Sequence, residues 1–390
     1  MIRCLHLADL HLGWSPPDRD FPLDKGRLRR KERDSVLTTA VDWATDPGNG
    51  IDLVIIAGDL FETHTPDPAL TEYVLGRLRQ VEDAGIPVIT VPGNHDEITY
   101  YNSVYRQHGN GQKWPGVLVR NPMPELVCRN EVNGVPVFVY SLAYTGGLTK
   151  VNQLTDFPRL DEPGLHIGVF HGSLDWSGVG DRSLPLESER LAAAGKGRGY
   201  DYLALGHIHK YQEVRAGKAI AVYPGLIDSK GFSDPGVGRM TIAQFEPEGD
   251  PRGSAGFKVT LEHVGIPVRE HVVLEVDIST KGDLQEVASE CKRQAGPDAM
   301  VKIVLSGVPS FSVDPERLKA SLGERFFWVE IEDESSFLES SDIARFAGEP
   351  TIRGYFTRRL LDKLENSTSE REKEVLMLAL RKGLAAFEGR

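Results

Sequence analysis

Ile2-Arg3-Cys4-Leu5-His6-Leu7-Ala8-Asp9-Leu10-His11-Leu12-Gly13 sets a pattern that the chain repeats. A short apolar run of strand length ends, and polar residues able to hold a metal follow at once. Leu53–Ala57 leads to Gly58-Asp59, and residues 87–91 lead to Gly93-Asn94-His95-Asp96. Residues 166–170 lead to His171-Gly172, and residues 202–205 to Gly206-His207-Ile208-His209. Residues 135–142 and Ala219–Tyr223 read as further strands. Helical stretches lie between, at 33–43 and at 68–82, where Val74, Leu75, Leu78 and Val81 recur at helical spacing. Open α/β sheets gather ligands at the carboxyl ends of their strands, so the five polar clusters are expected to converge.

The clusters are chemically uniform. Asp, His and Asn supply oxygen and imidazole donors and no cysteine takes part, a set suited to Mn²⁺, Fe²⁺ or Zn²⁺ rather than to a thiolate site. Asp9, His11, Asp59, Asn94, His171, His207 and His209 exceed what one ion needs. A pair of ions sharing a carboxylate is the natural reading, because two metals can clamp the attacking and leaving oxygens of a phosphoryl transfer. Singly, each cluster has an ordinary explanation: a turn after a strand, a loop, a packed histidine. The order DxH, GD, GNHD, HG, GHxH, each at a strand end, is what carries the weight.

The 390 residues predict two or three units. Hydrophobic content of 40% and charged content of 26% describe a globular chain, and no apolar run approaches membrane-spanning length. No signal-peptide pattern precedes the first motif, and three scattered cysteines, Cys4, Cys128 and Cys291, suggest neither disulfides nor a zinc ribbon. A cytoplasmic location is expected. The net charge of −12 argues against binding nucleic acid through the overall field, since such proteins are normally basic. Residues 1–245 form the first expected domain, and 246–254 are a turn-rich boundary or hairpin tip. Strand-like runs at 272–278, 300–305 and 326–331 alternate with helical ones at Leu284–Gln294 and Pro315–Leu322, giving a small α/β unit over 262–335. Residues 351–364 and 370–387 read as two amphipathic helices with no core of their own, the second opening on a capping box at Ser369 and Glu372.

The five motifs in this order resemble the calcineurin-like metallophosphoesterase superfamily over residues 1–230. Their wording, DLHLG, GDLF, VPGNHD and GHIH, is similar to the DNA double-strand-break repair nucleases, bacterial SbcD and its archaeal and eukaryotic counterparts. The resemblance implies an α/β fold, a metallophosphoesterase β-sandwich flanked by helices, with a small α/β capping domain that helps position DNA and a C-terminal helical tail. It implies a Mn²⁺-dependent DNA exonuclease and endonuclease with two Mn²⁺ ions. Asp9, His11, Asp59 and His209 would hold one ion, with Asp59 bridging to a second held by Asn94, His171 and His207. His95 would act beside the metals on transition-state charge or the departing oxygen. The implied partners are DNA, a second copy in a homodimer, and an SbcC-type coiled-coil ABC ATPase gripped by residues 351–387. A small-molecule phosphodiesterase or phosphatase and a non-catalytic ATPase scaffold are the alternatives.

Some archaeal relatives place a histidine where this chain has Glu62; here Glu62 is read as a support for His95, with His64 as a lesser candidate. The basic run Lys25, Arg27, Arg29, Arg30, Lys31 and Arg33 suggests either phosphate contacts or a solvated helix start. Tyr100, Tyr101 and Trp14 are candidates for stacking on bases or for packing. In the tail, Ile352, Tyr355, Phe356, Leu360 and Leu364 mark one apolar stripe, and Val375, Leu376, Leu380, Leu384 and Phe387 another.

Overall fold

The computed structural model describes residues 1–390 except 17–20, 108–113, 147–155, 176–181, 235–237, 251–255, 310, 336–339, 368 and 388–390. Two compact units emerge, Met1–Val268 and Arg269–Arg390. In the first, the strands are β1 (Ile2–Leu7), β2 (Leu53–Ala57), β3 (Val88–Val91), β4 (Val117–Leu118), β5 (Glu125–Val132), β6 (Val135–Ser141) and β7 (Leu165–His171). After a small pair, β8 (Ser173–Leu174) and β9 (Pro185–Leu186), come β10 (Tyr202–Gly206), β11 (Gln212–Ala216), β12 (Ala219–Tyr223), β13 (Arg239–Pro247) and β14 (Phe257–Gly265).

These strands build two six-stranded sheets, in the orders β14-β13-β1-β2-β3-β4 and β11-β12-β10-β7-β6-β5. The central strands run parallel, while β13, β14, β11 and β5 join antiparallel. One continuous core takes Ile55, Ile56 and Val91 from the first sheet and Val139, Ile167 and Tyr202 from the second, so the sheets form a sandwich. β2, β3, β7 and β10 are buried along their whole length, which explains their unbroken apolar sequences. Helix Pro68–Asp83 covers the first sheet; Asp67 caps it through Ala69 N at 2.9 Å, and Leu70, Val74, Leu75, Leu78 and Val81 form its buried face.

Helix Leu23–Thr45 begins ten residues before the expected position 33 and absorbs the basic run. Its buried stripe reads Arg29, Arg33, Val36 and Leu37, Ala40 and Val41, Ala44, so helical periodicity carries two arginines inward with the aliphatics. Both oxygens of Asp228 accept Arg29 Nη2 at 2.9 Å, and the Asp228 carbonyl accepts Arg33 Nη2 at 2.8 Å. Arg29 and Arg33 are therefore neither DNA contacts nor a solvated helix start; Arg27 and Lys31 remain exposed. Arg33 also lies 4.9 Å from the centre of the Trp14 ring, which packs against it.

The first unit does not end at 245. β14 pairs with β13 from end to end, keeping residues up to Gly265 in the first sheet. The turn-rich 246–254 segment is the tip of this hairpin, closed by Glu248 N on Gly256 O at 3.0 Å; its residues 251–254 lie outside the described residues. The second unit thus starts at 269 rather than 262. It contains a three-stranded parallel sheet of β15 (His271–Asp277), β16 (Met300–Ser306) and β17 (Trp328–Asp333), with helices Leu284–Gln294 and Pro315–Leu322 between the strands. The tail folds into helices Ile352–Asn366 and Glu370–Phe387, preceded by a helix at Ser340–Ala347 that the sequence pattern did not announce.

The tail does have a core of its own. Phe346, Leu380 and Leu384 are buried there, with Phe356, Leu360, Leu361, Leu364 and Met377 packed on them. Gly383 permits this, since a Cβ would stand 2.2 Å from the Phe356 ring. Ile352, Tyr355, Val375 and Phe387 stay exposed. At Ser369 only one arm of the capping box forms, Glu372 N on Ser369 Oγ at 3.4 Å; the Glu372 carboxylate takes Ser367 Oγ at 2.7 Å instead.

Candidate metal centre

β1 and β2 end side by side, and the chain beyond them stays zipped. Asp9 N donates to Gly58 O at 3.0 Å, His11 N to Asp59 O at 2.9 Å, and Leu12 N to Leu60 O at 2.9 Å. These bonds hold three non-glycine residues in left-handed backbone: Asp9 at φ 54°, His11 at 49° and Asp59 at 50°. Each such residue costs about 1–3 kcal/mol and persists only where its surroundings over-determine it. The outcome is that Asp9, His11 and Asp59 are all buried, facing the ends of β3, β7 and β10. Gly58 makes the approach possible: its φ is +91°, and a Cβ there would stand 2.1 Å from His171 Nδ1.

The expected residues come together. Donor atoms of Asp9, His11 and His209 lie within 4.8 Å of one another, as do those of Asp9, Asp59 and His171 and those of His11, Asp59 and His95. Asn94 Oδ1 stands 2.9 Å from both His171 Nε2 and His207 Nδ1, and Asp59 Oδ2 is 3.4 Å from His171 Nε2 and 3.7 Å from His11 Nε2. Asp59 thus touches both groups, the position a bridging carboxylate requires. Asp9 accepts His207 N on both oxygens, at 3.0 and 3.1 Å.

The donor set fits two cations. His11 Nδ1 is 2.8 Å from Glu62 Oε2, and His209 Nδ1 is 3.3 Å from Asp234 Oδ1, so in each neutral ring the proton belongs on Nδ1. Their Nε2 atoms, 3.2 Å apart, then both carry lone pairs, a contact that only a cation or a shared proton relieves. His171 differs: Nδ1 donates to Ala57 O at 2.9 Å, and Nε2 faces the oxygens of Asn94 and Asp59, a position that takes either a proton or a cation.

Electrostatics follow from the same geometry. Burial pushes Asp9 up to about 6, against the pull of His171 and His209. Burial acts the same way on Asp59, but His171, His11 and His95 outweigh it and hold Asp59 far below the carboxylate range. Burial lowers His171, yet Asp59 and Asp9 lift it to about 9. Burial keeps His11 down at about 4 and His207 at about 3, so both offer unprotonated nitrogens at neutral pH.

His95 stands at the edge of this cluster with its side chain 28% exposed, and its ring meets His11 edge-on at 4.6 Å. Its backbone N–H donates to Asp59 Oδ1 at 2.8 Å. Its Nδ1 lies 3.2 Å from the Glu62 carbonyl, which only accepts, so Nδ1 is the donor and Nε2 is the nitrogen left for other work. The Glu62 carboxylate is further away, Oε1 at 3.7 Å, and is committed to His11 and to Lys230 Nζ at 2.8 Å. Burial raises Glu62, but those two partners hold it at about 2. His64 does not join the cluster; it stacks on Tyr100 at 4.0 Å. Tyr101 is 87% exposed.

Three supporting residues were not legible beforehand. Asp96, the last letter of GNHD, ties that loop to the GDLF loop, accepting Gly93 N at 2.7 Å, Phe61 N at 3.0 Å and Tyr105 OH at 2.7 Å. Lys230 and Asp234 come from a loop after β12 that carries no periodic signal. The acid in GNHD was visible, but nothing in the sequence marks Phe61, 35 residues away, or Tyr105 as its partner.

Comparisons with known proteins bear on the family. The family described as calcineurin-like phosphoesterase matches residues 2–211. A Bacillus subtilis (strain 168) protein named "Uncharacterized metallophosphoesterase YhaO" is 26% identical over 246 residues, covering 60% of this chain. The chain spans about half of that relative's length, 54%. A solved structure of Vacuolar Protein Sorting 29 from Cryptosporidium parvum aligns over 68% of this chain and 98% of its own, with 13% identity and a TM-score of 0.29. With the family match covering more than half of the chain, this protein belongs to the calcineurin-like phosphoesterases.

Proposed function

We propose that the protein is a metal-dependent DNA nuclease, the phosphodiester-cleaving subunit of a double-strand-break repair complex that works with an SbcC-type ABC ATPase. The observation that carries the hydrolytic part is the pairing of the largely buried seven-residue donor set with His95, a partly exposed imidazole whose Nε2 is unengaged by the contacts described above. Divalent cations, with Mn²⁺ as the proposed ion, would supply Lewis-acid charge at the phosphoryl group and make water acidic there. Asp9, His11, Asp59, Asn94, His171, His207 and His209 would hold them. His95 Nε2 would then donate to a phosphoryl oxygen or to the departing alkoxide, its ring set by the Glu62 carbonyl.

The DNA part rests on the DLHLG, GDLF, VPGNHD and GHIH wording and on the second unit. That unit presents a small α/β layer proposed to cap the site and guide DNA. Its tail helices expose Ile352, Tyr355, Val375 and Phe387, the apolar groups proposed to meet the ATPase. A second reading, hydrolysis of small phosphodiesters, is favoured by the net charge of −12 and by the loss of Arg29 and Arg33 from the exposed basic run. The test compares linear duplex DNA with bis(p-nitrophenyl) phosphate, both with Mn²⁺. Degradation of DNA ends at a far higher kcat/KM supports the nuclease; turnover of the small diester alone supports the second reading.

A further inference from the structure

We propose that the segment Asp228–Asp234 is a positioning loop for one half of the metal centre, in which Lys230, acting through Glu62, and Asp234 fix the imidazoles of His11 and His209. The inference rests on the metal-dependent reading above and goes beyond it, because no ligand of the centre lies in this segment.

Two imidazoles form this half, and each has its non-ligating nitrogen on a carboxylate: His11 Nδ1 at 2.8 Å from Glu62 Oε2, His209 Nδ1 at 3.3 Å from Asp234 Oδ1. Glu62 Oε2 also takes Lys230 Nζ at 2.8 Å, so one oxygen is held by two partners and cannot swing toward the ligand cluster or toward His95. The Lys230 side chain is only 15% exposed, which makes the contact an inside one rather than a loose surface pair. The segment is itself clamped. Asp228 is locked by Arg29 and Arg33, Asp234 N donates to Gly231 O at 3.2 Å, and the Ser229 hydroxyl donates to the Asp234 carbonyl. The buried arginines of helix Leu23–Thr45 thus acquire a purpose: they hold the loop that holds the ligands.

The other half is built differently. His171 Nδ1 donates to a backbone carbonyl, Ala57 O at 2.9 Å. A carboxylate partner makes an imidazole a stronger donor to a metal than a carbonyl partner does, and losing such a partner typically costs about 10–100-fold in affinity. The two halves should therefore respond unequally when the loop is altered.

The experiment uses the full chain, freed of metal by chelation, titrated with Mn²⁺ calorimetrically, with bound Mn²⁺ counted by mass spectrometry. Wild type should take two ions. Asp234→Asn and Lys230→Met should each weaken one of the two by about 10–100-fold and leave the other. Lys230→Arg, which keeps a cation against Glu62, should restore most of the affinity. Metal-free melting temperatures should stay near wild type, separating positioning from folding. Two unchanged affinities in both variants overturn the inference, as does Lys230→Arg binding as poorly as Lys230→Met. A fall of both affinities together with metal-free stability also overturns it, since that is a merely structural role. A wild-type chain that takes up no Mn²⁺ would overturn the metal-dependent reading itself, and this inference with it.

Discussion

Replacing Arg29 by methionine separates a buried structural arginine from a DNA-contacting one. Arg29 is 1% exposed and holds both oxygens of Asp228, itself 3% exposed, at 2.9 Å. Removing one member of a buried pair leaves an uncompensated charge and costs about 3–5 kcal/mol. Arg33 moderates the loss, because its Nη2 remains 4.0 Å from Asp228 Oδ2, so the lower end, about 3 kcal/mol, is expected. A unit of this size shifts in Tm by about 2–4 °C per kcal/mol, giving a drop of about 6–12 °C. Circular-dichroism melts of metal-free protein are the assay, with Arg27→Met as the exposed comparison, expected to change stability by no more than about 0.5 kcal/mol. Adding Asp228→Leu to Arg29→Met should recover part of the loss, because the stranded charge is gone. Arg29→Met melting with wild type while losing DNA affinity would refute the reasoning and return the arginine to the surface.

Three further outcomes are expected. His95→Asn should retain the wild-type metal content but turn over about 10²–10⁴-fold more slowly, as measured on bis(p-nitrophenyl) phosphate; metal loss in that variant would make His95 a ligand. Burial lowers His6 to about 3 and His166 to about 4, so the unfolded chain binds more protons than the native one below the ordinary histidine value of about 6.5. Their stabilisation is therefore full above that value and is lost as pH falls toward about 4. Since Asp9 and Asp96 are raised, to about 6 and about 7, and act with the opposite sign, the readout is the difference in urea midpoints between wild type and His6→Gln at pH 7 and pH 5. In the tail, Ile352→Lys with Val375→Glu should abolish co-purification with the proposed ATPase partner without lowering Tm, whereas Phe356→Glu should unfold the tail helices, since Phe356 packs on the buried Leu380 and Leu384 cluster. Equal loss of stability in both variants would make the exposed stripe part of the tail core.

What was legible in the sequence was local: an apolar run of strand length, then a glycine or a metal-binding side chain, five times over. Strand ends in a parallel sheet share one edge, so order along the chain was enough to gather Asp9, His11, Asp59 and Asn94 at the edge of one sheet and His171, His207 and His209 at the edge of the other; the packing of the two sheets then brought the two edges together. The helix over Pro68–Asp83 was equally readable, because Asp67, Pro68 and the spacing of Leu70, Val74, Leu78 and Val81 all lie within one segment. Tertiary structure decided what depends on partners far apart in sequence. The basic run became a buried face only because Asp228, some 199 residues on, supplies the opposite charge. β14 joined the first sheet through its pairing with β13, which moved the boundary from 245 to 268. Likewise, Glu62 shares its carboxylate between His11 and Lys230, 168 residues away, while its backbone carbonyl sets His95. Periodicity reports which face of an element is apolar; it carries no information about which distant charge will arrive to make a polar face burial-worthy.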